Sequence, residues 1–304
     1  MAVVVVCVLL VLAGLAAVVR WGGLTVQPPP DPAPPPADPA GPPPEAEAAA
    51  GAPPTHPPPP GLVARRYLWY VNLALASGFG AGLLAAGAGG RLMMRLLAVT
   101  AGPSAQGSIT EAGQVVGRIS VDGTIGFIVF TALFLGLASG GLYLLLRTWL
   151  PVGRTGGIAY GALLLVLAGS RLEPLRRANP DFDLVGPGWV SVAGFAALVL
   201  FHGMLVAALA ARTSRSVPLL GTRPAAFAAH APLLLLAPLV PVAVIVAVVG
   251  ALVVLATRIP AVLTAWRLPT LARAGRIGLA LVALLALPGF VADLADILAR
   301  GSAR

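Results

Sequence analysis

The chain has 304 residues, 58% of them hydrophobic and only 10% charged, with a formal net charge of +9. A soluble domain carries roughly 25% charged residues, so this composition excludes an ordinary water-facing surface. All 20 basic residues are arginines, placed mostly at the ends of apolar segments, which suits lipid headgroups and argues against nucleic acid.

A single cysteine, Cys7, leaves no intrachain disulfide and no cysteine zinc site. His56, His202 and His230 share no ligand spacing. No metal and no cofactor is expected.

Residues 2–19 form the first apolar run. A cleaved signal peptide calls for a basic stretch ahead of it, and no basic residue precedes Arg20. A transmembrane helix or signal-anchor over 1–20 therefore fits better. Residues 21–64 hold 17 of the 30 prolines and four acids, Asp31, Asp38, Glu45 and Glu47. Such a segment cannot bury enough apolar surface to fold, and it predicts a disordered proline-rich linker. The tetraproline at 57–60 reads as a spacer before it reads as a docking motif.

Six apolar segments follow over 65–304, at roughly 68–90, 124–146, 156–172, 188–211, 231–256 and 276–292. Hydrocarbon demands that backbone groups pair within each segment, which helices achieve. The fold class expected is all-α, a polytopic transmembrane bundle with a six-helix body plus one N-terminal hydrophobic helix. The shortest segment, 156–172, is the least secure. Seven crossings divide the arginines ten against ten between the two sides, so the positive-inside rule returns a tie. On that parity Arg91, Arg95, Arg176 and Arg177 share one side, while Asp293, Asp296 and Arg300 fall on the other.

The stretch "SGFGAGLLAAGAGGRLMMR" at 77–95 invites a nucleotide-loop reading, but no strand precedes it and the fingerprint spacing fails at Ala85. Its periodicity is more informative. Ala74, Gly78, Gly82, Ala86 and Gly90 are four apart, a helix-packing ridge that lets two backbones approach closely. Ala132, Gly136 and Gly140 repeat the device, as do Gly153, Gly157 and Gly161. The pattern predicts a close-packed core of the segments at 68–90, 124–146 and 156–172. A second copy of the chain is the other partner such ridges suit. Arg91 and Arg95 continue the first ridge's helix one turn apart. Snorkelling towards headgroups, with Met93 and Met94 in the interface, accounts for them structurally. The functional reading is an anion or lipid-headgroup site.

Two connections carry further content. Ser108 and Glu111 fit a capping box opening a short helix through about Gly117, with Val115 and Val116 inward. Asp122–Gly123 resembles a hairpin turn, although Thr124 as the N-cap of the next helix is the simpler reading. In 171–189, Asn179, Asp181 and Asp183 alternate as calcium-loop oxygens do. Leu184 and Val190 stand where such a loop needs Gly and Glu, so a proline-built turn is preferred. Asp181 and Asp183 are expected to pair with Arg176 and Arg177 or with Arg91 and Arg95. The candidate rim is thus Arg91, Arg95, Arg176, Arg177, Asp181 and Asp183.

Inside the apolar segments the polar inventory is Asn72, Thr131, Ser139, Ser170 and His202. His202 is read as bonded between helices. Pro232, Pro238, Pro241 and Pro288 predict kinks or breaks in the last two segments. No catalytic motif is present. "GGRLMMRLLAVTAGP", "TEAGQVVGRISVDGT", "RTWLP" and "NPDFDLVGPGW" are together similar to a family of uncharacterised multi-pass membrane proteins of high-GC bacteria, over about 65–212. The resemblance implies a bacterial inner-membrane location and no known activity. The function expected is non-enzymatic, a membrane scaffold or a subunit binding lipid or a protein partner. A small-solute transporter and an interfacial lipid-modifying enzyme are the alternatives. The first requires a cavity reaching His202 or Asn72, and the second requires Asp181 or Glu111 in a cleft beside the arginines.

Overall fold

The computed structural model describes residues 2–29, 58–111, 113–118, 120–171, 175–221, 223–259 and 269–302. These form helices joined by turns, with an isolated antiparallel bridge between Ile109 and Val115. In chain order the helices are α1 (Ala2–Trp21), α2 (Pro60–Thr100), α3 (Val121–Leu146), α4 (Arg154–Gly169), α5 (Gly188–Ser214), the short α6 (Pro224–Ala228), α7 (Val240–Ala256) and α8 (Pro269–Ser302).

Five of the described helices, α1, α2, α3, α5 and α8, are long and apolar enough to cross a membrane. The sequence suggests seven such segments, or six. α4 and α7 are shorter, at 10–17 residues. In the segment 231–256 the reason is proline, which removes backbone donors. Residues Ala231–Leu236 form a 3-10 turn, and α7 starts only at Val240 with Pro241 in its first turn.

The chain forms two compact units. One comprises Met1–Gln27, Asn72–Ser216 and Pro269–Arg304, the other Pro28–Val71 and Val217–Leu268. The boundary falls within α2. In the first unit α1 packs with α2 and α5. A Cβ added to Gly14 would lie 2.9 Å from the Phe201 ring and 3.2 Å from Leu205. Arg154 donates to the Val19 carbonyl at 3.0 Å, and the Gln27 amide donates to Ser214 Oγ at 3.0 Å. In the second unit Trp69 Nε1 donates to the Val217 carbonyl (2.9 Å) and the Tyr67 hydroxyl to the Val246 carbonyl (2.7 Å). α2 begins at Pro60, so the last residues of the expected linker are helical; residues 30–57 of that linker lie outside the described residues.

Small residues bring α2 and α3 together backbone to backbone. Gly140 meets Ala74, Gly136 meets Gly78, and Ala132 meets Gly82. A Cβ on Gly82 would fall 2.6 Å from the Ala132 Cα. The next contact on α2 is Gly87, whose Cβ would lie 3.1 Å from the Ile128 Cα. The step from Gly82 to Gly87 is five residues rather than four, because Gly82–Gly87 is a π-helical turn. A π turn inserts one residue and rotates everything beyond it around the helix axis. Ala86 and Gly90, which continue the four-residue ridge in sequence, thereby leave the series of backbone-to-backbone contacts and line a cavity, Gly90 facing the Phe127 ring of α3. The third ridge packs elsewhere than expected: Gly157 and Gly161 lie against Met204, Leu200 and Gly203 of α5.

Three local expectations are corrected. The described residues of 108–117 form a turned loop, not a capped helix. Thr110 N–H donates to the Gln114 carbonyl (2.8 Å) and Val116 N–H to the Ser108 carbonyl (2.9 Å). Gly107, Gly113 and Gly117 have φ of +87°, +71° and +87°, which no helix accommodates. Alternation then buries Val116 and leaves Val115 exposed. Second, α3 is capped by Ser120, whose Oγ accepts from Gly123 N–H at 3.2 Å. Asp122–Gly123 is therefore helix, and Thr124 bonds back to the Ser120 carbonyl at 2.8 Å.

Third, α8 continues through Pro288 to Ser302 without interruption. Its ends also contradict the parity assignment. Asp296 pairs with Arg177 at 3.3 Å and Arg300 with Asp183 at 3.8 Å, while Gly275 sits against Trp149. Asp296 and Arg300 thus share an end with Arg177, and the ten-against-ten count does not hold.

Candidate functional site

The first unit contains a cavity of about 890 Å³. Its back is the rotated face of α2, with Ala86 and Gly90 in the lining. Val3, Val4 and Cys7 of α1 flank it, and α3, α5 and the turn at 179–185 complete the wall. Phe130, Leu135 and Leu142 line it while remaining 59%, 50% and 41% exposed. The cavity is therefore open along the α3 side, and its wall is overwhelmingly apolar.

The mouth is charged. Arg91 and Arg95 both line it, together with Arg118 of the 106–118 loop. Arg91 Nε donates to Thr124 Oγ1 at 3.0 Å and its Nη1 to Met94 Sδ at 3.9 Å, which fixes its guanidinium at the start of α3. Arg95 Nη1 donates to the Gly117 carbonyl at 3.3 Å. Among the described residues no carboxylate forms an ion pair with Arg91, Arg95 or Arg118. Met93, expected beside them in an interface, is instead buried and lies over Gly194 of α5.

Two carboxylates also reach the mouth, Glu111 and Asp181. Glu111 pairs with Arg176. Asp181 accepts from the Glu111 backbone N–H at 2.8 Å, and its own N–H donates to Asn179 Oδ1 at 2.8 Å. These bonds tie the 106–118 loop to the proline-built turn at Pro180–Asp183. Of the candidate rim, Arg91, Arg95 and Asp181 line the cavity. Arg176 acts through Glu111, while Arg177 and Asp183 bind α8 instead.

At the inner end stand Thr131, Ser139 and His202. Ser139 is fifteen residues beyond Thr124 on α3, about 22 Å at the helical rise. Its Oγ lies 2.9 Å from His202 Nε2 and 3.1 Å from the Tyr160 hydroxyl, which itself donates to the Ser139 carbonyl at 2.6 Å. Thr131 donates to the Phe127 carbonyl at 2.7 Å. The inner polar atoms are thus largely engaged with one another and with the backbone. The Ala81 carbonyl lies against the His202 ring, yet Nδ1 has no partner of good hydrogen-bond geometry.

Sequence reasoning left Arg118 out of the rim and did not bring α1 to the site. Arg118 directly follows Gly117, whose φ of +87° turns the chain ahead of it. No feature of 2–19 distinguishes the cavity face of α1 from its other faces.

Comparison of the chain with protein-family models, with curated proteins and with solved structures finds no match.

Proposed function

We propose that the chain is a multi-pass protein of a bacterial plasma membrane, whose first unit binds an anionic amphiphile as a non-enzymatic lipid-binding subunit or scaffold. Five apolar helices of spanning length support the membrane location. One observation carries the binding reading: a single cavity joins an apolar wall to a mouth bearing Arg91, Arg95 and Arg118 without paired carboxylates. An acyl chain satisfies the wall, and an acidic headgroup satisfies the guanidiniums. The exposed Phe130, Leu135 and Leu142 give lateral access from the hydrocarbon, the route by which a lipid would enter.

The extension to Ser139 and His202 favours a second reading, transport of a small solute. It is the weaker one, because the inner hydroxyls already bond to neighbours and offer a polar solute few donors over some 22 Å of apolar wall. The enzyme reading has its acids in place at the mouth. Glu111 is held by Arg176 and Asp181 by the Glu111 amide, so both serve the loop's geometry.

The test is retention of lipid through detergent exchange, read by native mass spectrometry of the full chain. Anionic lipid should stay bound to the wild type, and Arg91→Gln with Arg95→Gln should lose it while inserting normally. Equal retention by the double variant would remove the rim's role.

A further inference from the structure

We infer that the headgroup taken at the mouth is a phosphate monoester, a dianion, in preference to the singly charged phosphodiester of common bilayer lipids. The inference rests on the amphiphile reading and specifies its ligand.

Charge is the first argument. The mouth presents three guanidiniums, from Arg91, Arg95 and Arg118, and one carboxylate, Asp181, that is not in an ion pair with arginine. Glu111 also lines the mouth and pairs with Arg176. Even with Glu111 counted, the cations lining the mouth outnumber the carboxylates by three to two, and a surplus of positive charge attracts a dianion more strongly than a monoanion.

Geometry is the second. Arg91 is anchored through Nε to Thr124 and Nη1 to Met94 Sδ, and Arg95 through Nη1 to the Gly117 carbonyl. Their remaining N–H groups are positioned before any ligand arrives, and arginine forks match phosphate oxygens in pairs. A monoester offers three terminal oxygens to three guanidiniums, whereas a diester offers two. Asp181 and Arg176 hold the loop at Glu111, and Arg118 directly follows Gly117, whose carbonyl accepts from Arg95.

A phosphate monoester loses its second proton near pH 6, which makes the claim testable by titrating the ligand. The charged and titratable groups facing the cavity are Arg91 and Arg95 of α2, Glu111 and Arg118 of the loop and Asp181 of the turn, with Cys7 of α1 and His202 of α5 further in. α3 contributes none to the lining, since Asp122 lies outside it. A diester lipid with the same acyl chains experiences all of these equally and isolates the ligand's own titration.

The full chain in nanodiscs should be titrated with phosphatidic acid, phosphatidylglycerol and phosphatidylcholine between pH 5 and pH 8. The monoester should bind about tenfold tighter than the diester at pH 7.5, the worth of roughly one added charge-assisted hydrogen bond. That preference should fade below about pH 6 while the diester's affinity stays level. Arg118→Gln should bring the monoester down to the diester's affinity. Equal affinity for the two acidic lipids at every pH overturns the monoester inference and leaves the amphiphile reading intact. No preference of either over phosphatidylcholine overturns the amphiphile reading itself. Inorganic phosphate displacing phosphatidic acid mole for mole keeps the phosphate chemistry and overturns the lipid as its source.

Discussion

Gly82 has no room for a side chain, since a Cβ there would sit 2.6 Å from the Ala132 Cα and 3.0 Å from the Gly136 Cα. Both neighbours are backbone, which cannot rotate away. Gly82→Leu should therefore separate α2 from α3 and lower stability by at least about 1–3 kcal/mol, seen as a fall in thermal midpoint in detergent. Gly141 is the control: nothing lies within 4 Å of its Cβ position, so Gly141→Ala should be neutral or stabilise by up to about 1 kcal/mol through helix propensity. A second residue-scale prediction concerns the cap of α3. Ser120→Ala removes the acceptor for Gly123 N–H and should cost about 0.5–2 kcal/mol by the same measurement. The four-residue spacing of Ala74, Gly78 and Gly82 is readable in the sequence because it follows the helical period. The jump to Gly87 is not, since a π turn leaves no signature in residue type. That single inserted residue turns Ala86 and Gly90 towards the cavity.

At the scale of elements, what could be read from sequence depended on whether a segment's structure is local. α1, α3 and α5 were legible as apolar runs of spanning length. The 106–118 loop was not, because Ser108 and Glu111 mimic a helix start while three glycines at positive φ enforce a turn. α8 defeated parity for a different reason. Counting segments assumes that each one crosses, and α7, shortened by Pro232, Pro238 and Pro241, need not do so. The placement of α8 can be tested by cysteine labelling in sealed vesicles, in a Cys7→Ser background. Arg177→Cys and Arg300→Cys should react with an impermeant maleimide from the same side of the membrane. Reaction from opposite sides would restore the parity assignment. The ion pairs themselves are partly exposed, with Arg177 at 62% and Asp183 at 55%. Breaking either should change stability by only about 0–1 kcal/mol.

For the molecule as a whole, helix packing and the arginine-rimmed cavity arise from one stretch of α2. The ridge from Ala74 through Gly82 and on to Gly87 closes α2 on α3, and Ala86 and Gly90, displaced by the π turn, line a cavity with arginines at its mouth. The anionic-amphiphile reading depends on those two sets of residues facing differently. Its most direct test is photocrosslinking with an anionic lipid carrying a diazirine in its acyl chain, followed by mapping of the adducts. The account predicts adducts on the cavity wall, within 126–142 and 195–202, that are lost in the Arg91→Gln, Arg95→Gln double variant. Adducts confined to outward faces such as Leu285, 81% exposed, or cavity adducts unchanged by the double variant, would contradict it.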